Sequence, residues 1–305
     1  MHWLGLTKML VFLSSWLGGA LIIPLACILA WCKIYIPMYI LLSYYGFRAI
    51  FPAAKSDAIR EWMGVSNDVT PYYRSQELIF EDDACPPEPD SSTMFTVGPH
   101  GILTQGWCFL NCSPLFTKSN ITWLIAEILL YLPFCKDFMI WGGGAPCTGP
   151  YFKKLMSVGA NIALIPGGFE EATLYHHGKH QLYLKHRQGF IKYALQYGYK
   201  IQICYVFGEE LCYWTVEVMP SLMLWLNKFK LPGVFFCGSY FFLPNPDIDM
   251  TVVMSIPMEL PHIKNPTHED VDKYHALYIE KVTALFNKFK GKYAAEGEDA
   301  VLHIV

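Results

Sequence analysis

The chain has 305 residues, of which 53% are hydrophobic, 16% aromatic and only 16% charged. Soluble proteins carry about 25% charged residues on average, so this composition points to a membrane or lipid partner. The net charge of −3 gives no positive field of the kind that binds nucleic acid, and we exclude that class of partner.

The first predicted element is an apolar segment without charge, from Met9 to Cys32. As a helix it is about 36 Å long at ~1.5 Å per residue, enough to cross an apolar layer of about 30 Å. A second uncharged segment, from Ile34 to Phe47, is shorter and rich in tyrosine. Two arrangements are open: one span followed by an interfacial segment, or a hairpin that returns to the same face. We predict that residues 1–50 anchor the protein in a membrane, because the apolar run of a cleaved signal peptide has only about 7–15 residues.

The rest of the chain divides into a connector and a larger domain. Residues 51–90 are polar and end in the stretch Cys85-Pro-Pro-Glu-Pro-Asp90, which predicts an extended connector. Residues 91–305 show an α/β pattern, and we expect a domain with a mixed sheet. Four short apolar runs are its predicted buried strands: Met94–Val97, Asn161–Ile165, Ile201–Phe207 and Thr251–Ile256.

Two helices are predicted in this domain. The first runs from Gln188 to Gln196 and is stopped by Gly198. The second lies near the C-terminal end, where Thr267 and Asp270 form a start that resembles a capping box. Apolar residues then recur at helical spacing: Val271, Tyr274, Tyr278, Val282, Leu285 and Phe289.

Polar residues follow three of the predicted strands at the points where glycine or proline ends them. They are His100 after the first strand, Glu170 and Glu171 after the second, and Glu209 and Glu210 after the third. In open α/β sheets, ligands bind beyond the carboxyl ends of the strands. We therefore expect these residues to converge on one crevice.

His100 lies in the tetrapeptide Gly98-Pro99-His100-Gly101, directly after a predicted strand. An imidazole titrates near neutral pH, so it can take the proton of a hydroxyl that attacks an acyl group. The sequence thus indicates a general base for acyl transfer to an alcohol. The alternative is a turn histidine whose ring only hydrogen-bonds the backbone.

The stretch that follows the second strand carries two glycines and two acids. Gly167 and Gly168 free backbone N–H groups to face an anion, and an adjacent carboxylate can orient an imidazole. Two neighbouring side chains after such a turn cannot both point into one crevice, so we expect one of the two glutamates to face the site and the other to face solvent. A tight turn with two solvated glutamates is the alternative.

A basic run that includes Arg187 and Lys192 suits the phosphates of a nucleotide-bearing thioester, although a solvated charged face is the commoner origin of such runs. The glycine-rich stretch from Trp141 to Gly149 is not a phosphate-binding loop, since Pro150-Tyr151 replace the required lysine and hydroxyl residue. The ten cysteines form no Cys-x-x-Cys pair. We expect reduced thiols and no metal site.

Several of these blocks together resemble the diacylglycerol acyltransferase type-2 family, which includes monoacylglycerol and wax-alcohol acyltransferases. The signature block of that family is similar to Arg187-Gln188-Gly189-Phe190-Ile191-Lys192-Tyr193-Ala194, followed by Gly198 and Phe207-Gly208-Glu209. The Pro-His-Gly block, the Gly-Gly-x-x-Glu block that ends at Glu171, and Pro266-Thr267 occur in the family's order. The resemblance covers residues 90–292. One departure is Gly98, because the family usually has histidine or glutamate there.

The resemblance implies an enzyme of the endoplasmic reticulum membrane and lipid droplet, with its catalytic domain facing the cytosol. It would transfer a fatty acyl group from acyl-CoA to an acylglycerol or a long-chain alcohol, with diacylglycerol as the expected acceptor. Acyl-CoA is a co-substrate, no cofactor is implied, membrane lipids are partners, and a homo-oligomer is left open. The expected catalytic residues are His100 and Glu171, because the family's Gly-Gly-x-x-Glu block places its acid at Glu171. Glu171 is therefore expected to face His100, and Glu170 to face solvent. The expected substrate-binding residues are Pro99, Gly101, Gly167, Gly168, Glu170, Arg187, Gly189, Phe190, Lys192 and Glu209.

Three alternatives remain at this stage. A monoacylglycerol or wax-alcohol acyltransferase differs from the expected enzyme only in its acceptor. A phospholipid-type acyltransferase is disfavoured, because its His-x4-Asp pair would need an aspartate where Gln105 stands. A catalytically silent lipid-binding or scaffold protein is the alternative from another class, and the departure at Gly98 favours it.

Overall fold

A computed structural model of the chain describes residues 3–64, 72–82, 84–216 and 234–305. The strands among these residues are β1 Ser75–Phe80, β2 Thr93–Gly98, β3 Thr122–Ile125, β4 Gly144–Pro146, β5 Ile162–Leu164, β6 His180–Leu182, β7 Lys200–Phe207, β8 Trp214–Val216, β9 Phe235–Cys237, β10 Asp249–Met254 and β11 Leu302–Ile304. The helices are α1 Trp3–Trp31, α2 Ile36–Ile50, α3 Asp57–Met63, α4 Gln105–Cys112, α5 Pro114–Lys118, α6 Cys135–Trp141, α7 Gly149–Met156, α8 Gly168–Thr173, α9 Gly189–Tyr197 and α10 His268–Tyr293.

Seven strands form one sheet in the order β1-β10-β7-β2-β5-β3-β4. The five strands from β7 to β4 run parallel, whereas β10 pairs antiparallel with β7 and parallel with β1. The predicted α/β domain with a mixed sheet is therefore confirmed. All four predicted strands are present, as β2, β5, β7 and β10.

Alternation along the strands divides the core into two clusters, one on each face of the sheet. On β7, Ile203 and Tyr205 belong to one cluster, whereas Cys204 and Val206 belong to the other, as the two-residue period of a strand requires. Helices α7, α9 and α10 pack on the first face, and α1, α4 and α5 pack on the second. The second face is the one that carries the candidate site.

The two predicted helices are also confirmed, as α9 and α10. Gly198 caps α9 in the left-handed conformation with φ 65°, which glycine adopts at little cost. A capping box starts α10: the Thr267 hydroxyl accepts from the Asp270 amide at 3.1 Å, and the Asp270 carboxylate accepts from the Thr267 amide at 2.9 Å. Residues 51–90, predicted to be a connector, contribute more than a link, since they contain α3 and the edge strand β1.

The N-terminal segments form a helical hairpin. Within the described ranges, α1 is the one helix long and apolar enough to cross a membrane. A turn at Lys33 (φ 64°) reverses the chain, and α2 packs back against α1. Both open ends of the hairpin contact the domain: Lys8 Nζ donates to the Gly64 carbonyl at 3.2 Å, and Arg48 forms an ion pair with Asp137 at 3.0 Å. The two segments are thus helices joined by a tight turn, and how they lie in a membrane stays a prediction.

Candidate active site

β2 delivers His100 to the carboxyl edge of the parallel strands. The Gly101 carbonyl lies 3.0 Å from Nδ1 of the ring. Because a carbonyl oxygen can only accept, Nδ1 carries the proton and Nε2 keeps its lone pair. Burial lowers the pKa of His100 below its ordinary value, while the Gly101 hydrogen bond and the charge of Glu170 act in the opposite direction. The ring is therefore neutral at pH 7, with Nε2 able to take a proton.

Glu171 supports the backbone of His100 rather than its ring. The side chain is buried, and its carboxylate accepts hydrogen bonds from the backbone amide of His100 and, at 2.7 Å, from that of Tyr183. Burial raises the pKa of Glu171 to about 7 against the effect of these two donors. This corrects the expectation that Glu171 faces the imidazole. The carboxylate occupies the space beside Gly167, where any Cβ would overlap it.

Glu170, rather than Glu171, lies on the wall of the cavity that contains His100. Successive helical residues point about 100° apart, so within α8 the two glutamates face different surroundings. Glu170 lines the same cavity as His100 and forms an ion pair with Arg187. The expectation that Glu170 faces bulk solvent is therefore wrong. The guanidinium of Arg187 also lies over the Tyr183 ring, 5.5 Å from its centroid. Tyr183 is the residue whose backbone amide donates to Glu171, so one short segment contacts both glutamates.

These residues open onto a cavity of about 890 Å³, near the upper end of the volumes usual for ligand sites. Four of the predicted site residues line it: His100, Gly168, Glu170 and Arg187. Most of the remaining wall is aliphatic or aromatic. One cavity therefore contains the neutral imidazole of His100 and the guanidinium of Arg187 beside a large apolar volume.

Glu209 and Gly101, both predicted to bind substrate, have structural roles instead. Glu209 is fully buried, and its carboxylate accepts from the amides of Gln105 at 3.0 Å and Gly106 at 2.7 Å. It therefore caps the first turn of α4, where a negative charge is favourable. Gly101 has φ +63°, and a Cβ there would overlap the Glu209 side chain. The two residues together fix the turn that follows His100.

Five further predicted residues lie away from the cavity in the described part of the chain. Pro99 is buried beside His100, and Gly167 lies against Glu171. Phe190 is a core residue whose ring is 5.0 Å from that of Tyr278. The other two, Gly189 and Lys192, are exposed on α9, and their contact with the phosphates of CoA stays a prediction.

Sequence reasoning missed the opposite wall of the cavity. α1 contributes Phe12, Trp16 and Leu17, and α4 contributes Trp107 and Cys108. Nothing in a uniformly apolar segment marks which face meets a cavity rather than lipid. The aromatic side chains at positions 12 and 16, one helical turn apart, are the signal that could have indicated it.

Comparison with known proteins identifies the family of this chain. A sequence model of the family described as diacylglycerol acyltransferase matches residues 30–304. Diacylglycerol O-acyltransferase 2-like protein 6 of Homo sapiens is 33% identical over 223 residues, which cover 64% of this chain and 65% of that protein. Acyl-CoA wax alcohol acyltransferase 1 of Mus musculus is 28% identical over 270 residues, which cover 82% of this chain and 80% of that protein.

A solved structure is also similar. It is the crystal structure of the 1-acyl-sn-glycerophosphate acyltransferase PlsC from Thermotoga maritima, with 13% identity and a TM-score of 0.40 over 68% of this chain and 70% of that one. This likeness is too weak to carry an argument. The sequence match to the human relative spans 65% of its length, just under two thirds. Because the family model matches nearly the whole chain, from the end of α1 to β11, the protein belongs to the diacylglycerol acyltransferase family.

Proposed function

We propose that this protein transfers a fatty acyl group from acyl-CoA to the hydroxyl of a lipid alcohol, with diacylglycerol as its acceptor and triacylglycerol as its product. Family membership supports the reaction class. The observation that carries the proposal is the position of His100, a neutral imidazole with a lone pair on Nε2, on the wall of a large apolar cavity. A thioester and an alcohol that both bear long chains need such a volume beside the base.

His100 acts as the general base in this proposal. Nε2 takes the proton of the acceptor hydroxyl while its oxygen attacks the thioester carbonyl, and a tetrahedral intermediate forms. The C–S bond then breaks, and the imidazolium returns its proton to the CoA thiolate. General-base assistance of this kind contributes about 10²–10⁴-fold to the rate. The proposal requires no metal and no cofactor besides acyl-CoA.

Arg187 is the proposed contact for the phosphates of CoA. Its guanidinium lines the cavity, and its buried Nε lacks a hydrogen-bond partner among the described residues. The ion pair with Glu170 occupies Nη2, so a phosphate would join or replace that carboxylate. Arginine suits this task because its planar fork can bind a phosphate through two parallel hydrogen bonds.

The N-terminal hairpin supports a membrane location. Large apolar side chains are exposed along it, among them Leu21, Ile28 and Ile40 at 66%, 61% and 56%. By analogy with the family we assign the protein to the endoplasmic reticulum and lipid droplets, with its catalytic domain facing the cytosol. Protease digestion of sealed microsomes tests the topology: a C-terminal tag that resists digestion would contradict it.

Purified protein incubated with radiolabelled acyl-CoA and separate acceptors tests the function. The acceptors are diacylglycerol, monoacylglycerol and a long-chain alcohol, and we expect triacylglycerol as the main product. The match to a wax alcohol acyltransferase favours wax ester as the second candidate product. His100→Ala serves as the inactive control. If no acceptor is esterified while acyl-CoA still binds, the protein is a lipid-binding member of the family without transferase activity.

A further inference from the structure

The membrane helix α1 forms part of the cavity wall. Met9, Phe12, Trp16 and Leu17 line the cavity that contains His100, and spacings of three, four and seven place such residues on one face of a helix. The same face packs into the core, where Leu13 is fully buried and Gly19 lies against the Pro133 carbonyl and the Cys135 side chain. This face of α1 is therefore unavailable to lipid.

The other faces of α1 point away from the domain. Leu10 and Val11 are 37% and 39% exposed, and Leu21 and Leu25 nearer the tip are 66% and 52% exposed. One helix thus presents two apolar surfaces with different surroundings. Membrane contact accounts for the exposed surface, but it does not account for the aromatic residues that face the cavity.

α4 supplies cavity-lining residues that begin next to His100. Thr104, at its N-terminal end, is followed on the lining surface by Trp107, Cys108 and Asn111, again at spacings of three and four. Between Gln105 and Cys112 the helix advances about 10 Å at ~1.5 Å per residue. A track lined by Trp107 and Cys108, with Thr104 and Asn111 at its two ends, therefore extends along α4 in the cavity that contains the imidazole.

Aromatic rings reduce the width of this track on the α1 side. The Phe12 and Trp16 rings meet edge to face with centroids 5.8 Å apart, and Phe12 also meets Phe138 at 6.4 Å. Such rings restrict how much of a chain a pocket accepts, because each added methylene must find space or clash. A hydrocarbon chain in this part of the cavity needs no hydrogen-bond partner on the wall.

From these contacts we propose that the acyl chain of the thioester lies between α1 and α4, and that Phe12 and Trp16 set the longest chain accepted. This inference rests on the proposed acyltransferase function. It makes the N-terminal helix a part of the substrate site as well as an anchor.

Chain-length competition tests the inference. Phe12→Ala and Trp16→Ala widen the track, and Leu10→Ala, on the exposed face of the same helix, is the matched control. With equal amounts of a medium-chain and a very-long-chain acyl-CoA, we expect both cavity variants to shift the product ratio toward the longer chain by about tenfold or more. Leu10→Ala should keep the wild-type ratio. Unchanged ratios in all variants, or an equal loss of activity in all three, would overturn the inference.

A second measurement does not depend on turnover or on variant folding. Wild-type protein in detergent is photolabelled with an acyl-CoA that carries a diazirine at the end of its chain, and the labelled peptides are identified by mass spectrometry. We expect label within residues 9–20, and excess unlabelled acyl-CoA should remove it. Label confined to other segments overturns the inference even if the protein is an active acyltransferase. Label on α1 in a protein without transferase activity would sustain the chain site and reject the proposed function.

Discussion

The two sides of the cavity hold their residues in different ways. On the side of the strand ends, His100 and Glu170 are positioned by hydrogen bonds and charge, with Glu171 and Glu209 buried behind them. On the helical side, α1 and α4 present mainly apolar surfaces, and the side chains that face the cavity there are positioned by packing. Directional contacts tolerate little change, whereas an apolar wall can change shape without losing its function. Substitutions on the first side should reduce turnover, and substitutions on the second should change substrate preference.

The largest effect should come from His100→Ala. The variant removes the only ring placed to accept the hydroxyl proton in the proposed mechanism, so kcat should fall by about 10²–10⁴-fold. Initial rates of labelled product formation by detergent-solubilised protein measure this fall. Expression and membrane association should match those of the wild type, because the ring lies on a cavity wall. Retention of more than about a tenth of wild-type turnover contradicts the assignment.

Glu171→Gln should have the next largest effect, because this residue positions the backbone of His100. An amide in place of the carboxylate turns one N–H₂ group toward a backbone N–H, which costs about 1–3 kcal/mol. A displacement of about 1 Å at the base can reduce kcat by about 100-fold. We expect both a lower melting temperature and a lower kcat, with an acidic limb of the pH–rate profile that stays in place. A limb that moves would show that the carboxylate acts on the ring directly.

Arg187→Ala should raise the KM for acyl-CoA by about tenfold or more, the effect of losing a charge-assisted hydrogen bond. The KM for the acceptor should change little, because the proposed contact is with phosphate. Arg187→Lys should restore part of the loss, since lysine keeps the charge but lacks the fork. Equal changes in both KM values would instead favour a structural role through the ion pair with Glu170.

Glu170→Gln should leave turnover at its optimum nearly unchanged but move its pH dependence. The negative charge of Glu170 raises the pKa of His100. Removing that charge lowers the pKa, so the neutral base persists to lower pH and the acidic limb of kcat/KM moves downward. Glu170→Asp, which keeps the charge, is the control. A limb that stays in place or moves upward would contradict the electrostatic effect assigned to Glu170.

The contrast between directional contacts and apolar packing also explains which features the sequence could predict. Buried strands such as β2 and β7 appear as apolar runs, and the capping box of α10 is a local pattern, so both were predictable. His100 was predictable because glycine and proline mark the strand end. The orientation of the two glutamates was not, since it depends on where α8 begins and on the distant amide of Tyr183.

The edge strand β1 and the cavity-facing side of α1 were hard to predict for two opposite reasons. β1 contains Gln76 and Glu77 and lacks the apolar pattern of the central strands, because this edge strand is less deeply buried than they are. α1 has the opposite property, an apolar composition on all its faces, so only the spacing of Phe12 and Trp16 distinguishes their face from that of Leu10 in the sequence. The tertiary contacts distinguish the two faces directly.

The smallest predicted effect concerns stability and the buried carboxyl of Glu209. Burial raises the pKa of Glu209 from 4.5 to about 8, against two backbone donors that lower it. Between these values the folded state binds more protons than the unfolded state, so this group's contribution to stability is lost as the pH rises through 8. Glu209→Gln cannot titrate and resembles the protonated acid. We therefore expect the variant to match the stability of the wild type most closely at pH 5 and to gain on it as the pH rises to 8.5.

Melting temperatures in detergent at pH 5, 6.5 and 8.5 measure this difference, and Glu280→Gln, an exposed position on α10, is the matched control. The slope for one group cannot exceed about 1.4 kcal/mol per pH unit, so the stability of the variant relative to the wild type should change by less than about 5 kcal/mol between pH 5 and 8.5. Parallel curves for Glu209→Gln and the wild type would mean that the carboxylate stays ionised against the first turn of α4. The capping hydrogen bonds from Gln105 and Gly106 would then outweigh the cost of burying the charge.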